Sequence, residues 1–357
     1  MNKSQHLSVR PLLVTMVGLS VSASAVQAVE INKTYLGPSL DRWMYSFNTD
    51  PGNKPDAAIF APYGHPTQPN FDDRDGQLLV GFVTVGDVPP GQGVDHYRII
   101  SATVTATVSP DSAFAYDPTP DTWDTYSQSG GVAPVPDSDA GRSIELYLAG
   151  YRAGWSLATF LETSRYAGAA SDPLPPGGVW YPARGIRNVF PAQYEPAGSG
   201  IIRDVSNNVD EMFEPRPVAI ARNASLTPGQ IVPVGTPMTF DFDLSNPDTR
   251  RYLREGLNAG QLNFVISSLA EAQIQTPQTV RFYCKEAGVP NTAPTLNIRV
   301  CVGAPADWDC SGAVGVSDLF KFLDEWFAGS ADFDENGQTG VADLFAFLDA
   351  WFATFGT

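Results

Sequence analysis

Residues 98–108 read RIISATVTATV. Ile100, Ala102, Val104, Ala106 and Val108 fall on one side of an extended chain, and the threonines fall largely on the other. Side chains alternate between faces with a period of two in a strand, so this pattern predicts a half-buried strand of an antiparallel sheet. Further runs rich in Val, Ile, Thr and aromatic residues recur on both sides of it. They are Leu78–Val85, Ser143–Leu148, Met238–Leu244, Leu262–Ser268, Thr279–Tyr283 and Thr295–Val302. Turn residues separate them. Many short strands joined by polar, Pro-rich loops predict a mainly β fold of the β-sandwich or jelly-roll kind over residues 29–303.

One helix is expected inside that domain. Asn246 is a natural N-cap, Pro247 suits the first helical position, and Asp248 suits the positive end of the helix dipole. Tyr252, Leu253 and Leu257 follow at helical spacing, and Gly256 or Gly260 can end the element. The long loops near 110–142 and 168–200 are rich in Asp, Pro, Gly and Ser. Loops of that length in a compact domain are usually functional or disordered.

The chain starts with a charged segment carrying Lys3 and Arg10, an apolar stretch from Pro11 to Val21, and then small residues. Cleavage fits after Ala23-Ser24-Ala25 or after Val26-Gln27-Ala28. These features predict a secretory signal over residues 1–28. The apolar run is well short of the ~20 residues that cross a bilayer, so no membrane span is expected. A secreted, cell-surface or periplasmic location follows. The chain carries 22 basic and 39 acidic residues, a net charge of −17. Removing Lys3 and Arg10 leaves 20 against 39, or −19. Such an excess argues against nucleic-acid partners, which require a basic footprint. It suits solubility and cation binding.

The strongest signal is a duplication. Residues 307–328, DWDCSGAVGVSDLFKFLDEWFA, align at an offset of 25 with residues 332–353, DFDENGQTGVADLFAFLDAWFA, and fourteen of the 22 positions are identical. Ca²⁺ takes six to eight oxygens at ~2.3–2.6 Å, and a twelve-residue loop supplies them from positions 1, 3, 5, 7, 9 and 12 around a Gly at 6. In loop 307–318 these are Asp307, Asp309, Ser311, the Ala313 carbonyl, a water beside Gly315, and Asp318. In loop 332–343 they are Asp332, Asp334, Asn336, the Gln338 carbonyl, a water beside Gly340, and Asp343. Gly312 and Gly337 take position 6. Two Ca²⁺ sites are therefore expected, the second tighter because Ser311 is a shorter donor than Asn336.

Behind the loops, Leu319, Phe320, Leu323, Trp326 and Phe327 form an apolar stripe, repeated by Leu344, Phe345, Leu348, Trp351 and Phe352. These stripes are expected mainly to bury each other. Phe322 and Phe347 widen them and divide evenly between core and partner surface.

The segment before Asp307, RVCVGAPA, is a strand end and linker, so the order is loop, helix, loop, helix. That arrangement resembles a dockerin, of the Trp- and Phe-rich kind carried at the C-termini of secreted planctomycete-type proteins, and places the module at 304–357. The resemblance implies calcium-dependent folding and docking to a cohesin-like protein or cell-surface receptor. Positions 10 and 11, often hydroxylated in cellulosomal dockerins, are Val316-Ser317 and Val341-Ala342 here. The segments LLVGF, IISATVTATV, GQLNFVISS, VRFYCKEAG and PTLNIRV, in that order, resemble the DNRLRE family of secreted β-sandwich domains, although the name-giving motif is absent. That likeness speaks to fold.

No catalytic residue is identified. No G-x-S-x-G, H-E-x-x-H or Gly-rich phosphate loop occurs, and His65 and His96 read as loop and structural residues. Asp72, Asp73 and Asp75 precede a strand, and Asp117, Asp121 and Asp124 flank Trp123. Both groups are expected to be solvated loops or structural calcium sites. Trp123 and Tyr126 offer rings for a sugar, with burial of Trp123 the competing expectation. Of Cys284, Cys301 and Cys310, the favoured disulfide is Cys284–Cys301, with Cys301–Cys310 the alternative. The expectation is a non-catalytic, calcium-binding surface or carbohydrate-binding protein displayed by its tail. A dockerin-bearing polysaccharide hydrolase or lyase and a structural surface protein are the alternatives.

Overall fold

The computed structural model describes residues 28–46, 52–62, 72–126, 134–171, 187–272 and 279–355. The expected signal segment and His65 lie outside the described residues, apart from Ala28. The described residues are mainly β, with antiparallel sheets, three α-helices and a small helical region at the C-terminal end.

In chain order the elements are β1 (Val29–Tyr35), β2 (Leu40–Met44), β3 (Asp56–Ile59), β4 (Gln77–Val83), β5 (Tyr97–Thr107), β6 (Ile144–Tyr151) and β7 (Val189–Tyr194). They continue with β8 (Ile202–Asp204), β9 (Ala219–Ile220), β10 (Pro237–Asp241), α1 (Pro247–Ala259), β11 (Gln261–Ser268), β12 (Val280–Tyr283), β13 (Thr295–Val302), α2 (Val316–Phe327) and α3 (Val341–Thr354). One sheet has the order β1-β13-β5-β10. A second runs β2-β4-β11-β6-β7-β8, with β9 added beside β6, and β12 pairs with β3. Val104, Phe240 and Ile298 from the first sheet share one core with Leu78, Val80, Leu146 and Phe264 from the second.

The β5 alternation holds from Ala102 onward, but at its start Tyr97 and Ile99 are buried instead of Ile100. Ser101 pairs with Arg299 and Ile99 with Val300, so the ladder passes over Ile100. A bulge of this kind shifts the inward face by one residue.

Helix α1 starts as its sequence requires. The Asn246 side chain accepts from the Asp248 N–H at 2.9 Å, and Gly260 ends the helix in the left-handed conformation. Gly256 lies inside the helix and has no room for a side chain, because Leu262 packs where its Cβ would stand. Leu253 and Leu257 enter the shared core.

Two expectations are overturned. The disulfide joins Cys301 to Cys310, and Cys284 is a buried free thiol. Cys284 follows β12, whose partner is β3, whereas Cys301 sits on β13 between β1 and β5. Successive strands thus enter different sheets, and the bridge ties the end of β13 to the tail. The aromatic stripes also rotate. Phe322 and Phe347 are fully buried and stack on one another at 4.1 Å with planes 3° apart. Trp308, Trp351, Ala306 and Ala331 complete that core. Phe320, Phe327, Phe345 and Phe352 point outward. Two crossing helices touch along a narrow line, so a six-residue apolar set on each cannot all face inward.

Candidate metal centre

The duplicated sequence folds as duplicated structure. In both loops positions 4 and 6 adopt positive φ: Cys310 and Gly312 in the first, Glu335 and Gly337 in the second. Position 9, Gly315 or Gly340, is the N-cap of α2 or α3. The position-12 carboxylates fold back onto their own loops. Asp318 accepts from the N–H groups of Asp309 (2.8 Å) and Gly315 (2.7 Å). Asp343 accepts from Phe333 (2.7 Å), Asp334 (2.9 Å) and Gly340 (2.7 Å). Each position-12 aspartate therefore fastens its helix start to the loop, as an acidic residue in the first turn does well.

The carboxylates converge. One oxygen from each of Asp307, Asp309 and Asp318 lies within 4.8 Å of the others, and the same holds for Asp332, Asp334 and Asp343. Two oxygens held by one ion at ~2.3–2.6 Å are at most ~5 Å apart, so both triads fit a hard, oxygen-liganded cation. Asp332 Oδ1, buried with no hydrogen-bond partner, adds an acceptor left over for such an ion. The remaining expected donors stay close by. Ser311 Oγ contacts the Ala313 carbonyl at 3.2 Å, and Asn336 Oδ1 accepts from the Gln338 N–H at 2.9 Å.

The loops differ electrostatically. Burial, with the charges of Asp309 and Asp307, pushes the Asp318 carboxyl above the usual range, and burial raises Asp307 too. At Asp343 burial acts the same way, but the backbone donors Asp334, Gly340 and Phe333 outweigh it and hold the carboxyl low. The second loop thus keeps its last ligand ionised more readily.

The two repeats lock together through their tryptophans. Trp326 of α2 donates to the Gly340 carbonyl (2.6 Å), and Trp351 of α3 donates to the Gly315 carbonyl (2.8 Å). Each helix thereby holds the other repeat's loop where its own helix begins.

No protein-family model matches this chain, and no curated protein matches it either.

Several residues that sequence reasoning passed over complete the surroundings. Arg250 of α1 pairs with Asp332, and Arg254 pairs with Glu335. Arg98 of β5 donates to the Trp308 carbonyl (2.6 Å) and covers its ring at 4.7 Å. Position 4 of both loops is thus anchored to the β domain, by Cys310 through the disulfide and by Glu335 through Arg254. A cleft of about 720 Å³ remains at this junction, lined by Arg98, Arg250, Arg254, Trp308, Asp334 and Glu335 among others. No local signal marks these arginines, which lie about eighty positions or more before the residues they meet.

The remaining candidates sort by their partners. His96 Nδ1 meets the Gly303 carbonyl at 2.8 Å, a structural role. Asp41, Glu162 and Glu286 converge, but Lys285 already sits among them. Asp72 and Asp75 face Arg187 in the interior, and Asp73 accepts from the Val209 and Asp210 N–H groups. Tyr126 is buried beneath Arg142, which lies 4.1 Å from its ring, so it offers no open face to a sugar. Among the described residues no helix is long and apolar enough to cross a membrane.

Proposed function

We propose that this chain is an exported, non-catalytic surface protein whose β-sandwich domain is displayed by a dockerin-like, calcium-dependent C-terminal module. The single observation that carries this reading is the pair of matching carboxylate triads, Asp307/Asp309/Asp318 and Asp332/Asp334/Asp343, held in loops of the same backbone form. Two calcium ions would supply the positive charge that makes three clustered carboxylates tolerable in each loop. The chain's own residues do the rest. Asp318 and Asp343 couple loop shape to the first turn of α2 and α3, and Trp326 and Trp351 couple each helix to the other loop. A loop held in shape therefore holds both helices.

Four aromatic side chains support a docking role. Phe320, Phe327, Phe345 and Phe352 are 63%, 78%, 62% and 69% exposed and occupy equivalent places on the two helices. Aromatic residues are enriched where partners bind, and solvated rings of this number cost solubility when no partner covers them. A cohesin-like protein or surface receptor is the partner class proposed. The two large sheets around one core support the sandwich assignment, and a polysaccharide is the ligand class proposed for that domain.

The deciding experiment is a thermal melt of the mature chain followed in the near-ultraviolet, where the module's tryptophans report. Calcium should raise the module's transition and EDTA should lower it. Identical melts in excess calcium and in EDTA would remove the calcium-dependent module, and the docking proposal with it.

A further inference from the structure

A further acidic group stands apart from the tail, in the connection between β5 and β6. Asp117 and Asp121 come from its first half and Asp139 from its second, and one carboxylate oxygen of each lies within 4.8 Å of the others. Asp117 is only 4% exposed. Its Oδ1 accepts from the Thr119 N–H (2.9 Å) and hydroxyl (2.6 Å), whereas Oδ2 is closed off from solvent and has no hydrogen-bond partner. A buried carboxylate oxygen without a donor costs free energy that a ligand at that spot would recover.

The local charges leave the same gap. Arg142 serves the other side of the cluster, 2.6 Å from Asp137 and 3.6 Å from Asp121. Among the described residues no ion pair reaches Asp117 or Asp139. Four carboxylates therefore face one guanidinium. Burial raises the Asp117 carboxyl, and it lifts that of Asp121 to about 6 despite Arg142, which marks the strain of gathering these acids without enough positive charge.

We infer that Asp117, Asp121 and Asp139 form a third cation site, for a hard, oxygen-liganded divalent ion such as Ca²⁺. The donors are all oxygens, which excludes the imidazole and thiolate ligands that zinc or copper sites prefer. Oxygens that all lie within 4.8 Å of one another fit a Ca²⁺ ion, whose ligands at ~2.3–2.6 Å stand up to ~5 Å apart. The ion would clamp the start of the β5–β6 connection to its end, directly before Arg142 and the entry of β6. The site belongs to the β domain and does not depend on the tail's loops.

The experiment counts Ca²⁺ bound to the mature chain by equilibrium dialysis, using calcium chloride alone. The intact protein should bind three ions, and Asp139→Asn, at an exposed position, should bind two. Asp117→Asn should do the same, with its fold checked by near-ultraviolet circular dichroism. A chain carrying Asp309→Asn and Asp334→Asn should keep the ion that Asp139→Asn loses. If both Asp139→Asn and a folded Asp117→Asn bind as many ions as the parent protein, the third site is refuted, whatever the tail does. If the parent binds a single ion that Asp139→Asn removes, the third site stands while the tail reading falls.

Discussion

Replacing Arg250 by Gln should tighten calcium binding at the second loop. Arg250 lends its guanidinium to Asp332, the first ligand of that loop, and the two side chains are only 15% and 9% exposed. At a charge separation of ~4 Å and an effective dielectric of ~20, such a pair is attracted by about 4 kcal/mol. Desolvation of two nearly buried groups offsets more than half of that, leaving on the order of 1–2 kcal/mol. Arg250 holds Oδ2 and leaves Oδ1 to the ion, which must share the carboxylate's charge with this contact, at a tenfold cost in affinity per ~1.4 kcal/mol. Arg250→Gln should therefore lower the dissociation constant of the second site roughly 5- to 30-fold. The first loop, whose aspartates form no ion pair with an arginine among the described residues, should change by less than about twofold. Titration calorimetry on the mature chain carrying Asp139→Asn follows the two tail sites alone, and Arg251→Gln, which breaks the exposed pair with Glu255 and the ring contact with Tyr194, serves as control. An affinity at the second site that is unchanged or weaker would refute the competition. Once Arg250 is removed, the donor contrast between Ser311 and Asn336 should set the order, second loop before first. Tighter binding at the first site, tested with Ser311→Asp and Asn336→Ala, would refute that order.

Packing, covalent links and burial carry further consequences. Phe322→Ala should destabilise the module by about 3–5 kcal/mol, because it opens a cavity opposite Phe347, whereas Phe320→Ala should leave its melting point nearly unchanged while weakening partner capture. Equal losses of stability in the two variants would contradict the assigned faces. Cys310→Ser releases the short loop closed with Cys301 and should lower the module's unfolding midpoint by the equivalent of about 2–3 kcal/mol. A thiol titration of the native parent protein should meanwhile find Cys284 unreactive, since burial raises its pKa well above the usual value. Rapid labelling would disprove its enclosure. Burial lifts Asp75 to about 7, so the folded chain holds this proton more firmly than the unfolded one. That contribution to stability is complete below pH ~4 and fades as pH rises through 7. Denaturant melts in EDTA should therefore show Asp75→Asn losing less stability than the parent between pH 5 and 7.5. Parallel curves would exclude Asp75 as a source of the slope.

Much of the fold could be read locally. Val104, Ala106 and the threonines between them mark β5 by alternation alone, and Thr295–Val302 is a strand with the expected bounds. Asn246, Pro247 and Gly260 mark α1 because caps act within one turn. The strands that escaped notice were those whose polar residues find partners far away. In β2, Asp41 and Arg42 break the apolar pattern, yet both are buried, Asp41 against Lys285 and Arg42 against the Ser164 carbonyl. In β7 a proline interrupts the run.

The candidate metal centre divides the same way. Which residues could ligate an ion was legible from spacing, because a twelve-residue loop brings its own ligands together and Gly312 and Gly337 mark the turn. Which aromatic rings face inward was not, because that depends on how α2 crosses α3, a property of two helices together. Nor was the disulfide, since it depends on β12 and β13 entering different sheets. The arginines at Asp332 and Glu335, and the gathering of Asp117 with Asp139, arise from segments distant in the chain. Sequence by itself determined the elements marked by local alternation or caps and which aspartates of each loop can converge, because those follow from interactions between near neighbours. Only the tertiary structure decided which face is core, which cysteines join and which charges already have partners, because each of these is a contact between surfaces that meet only after folding.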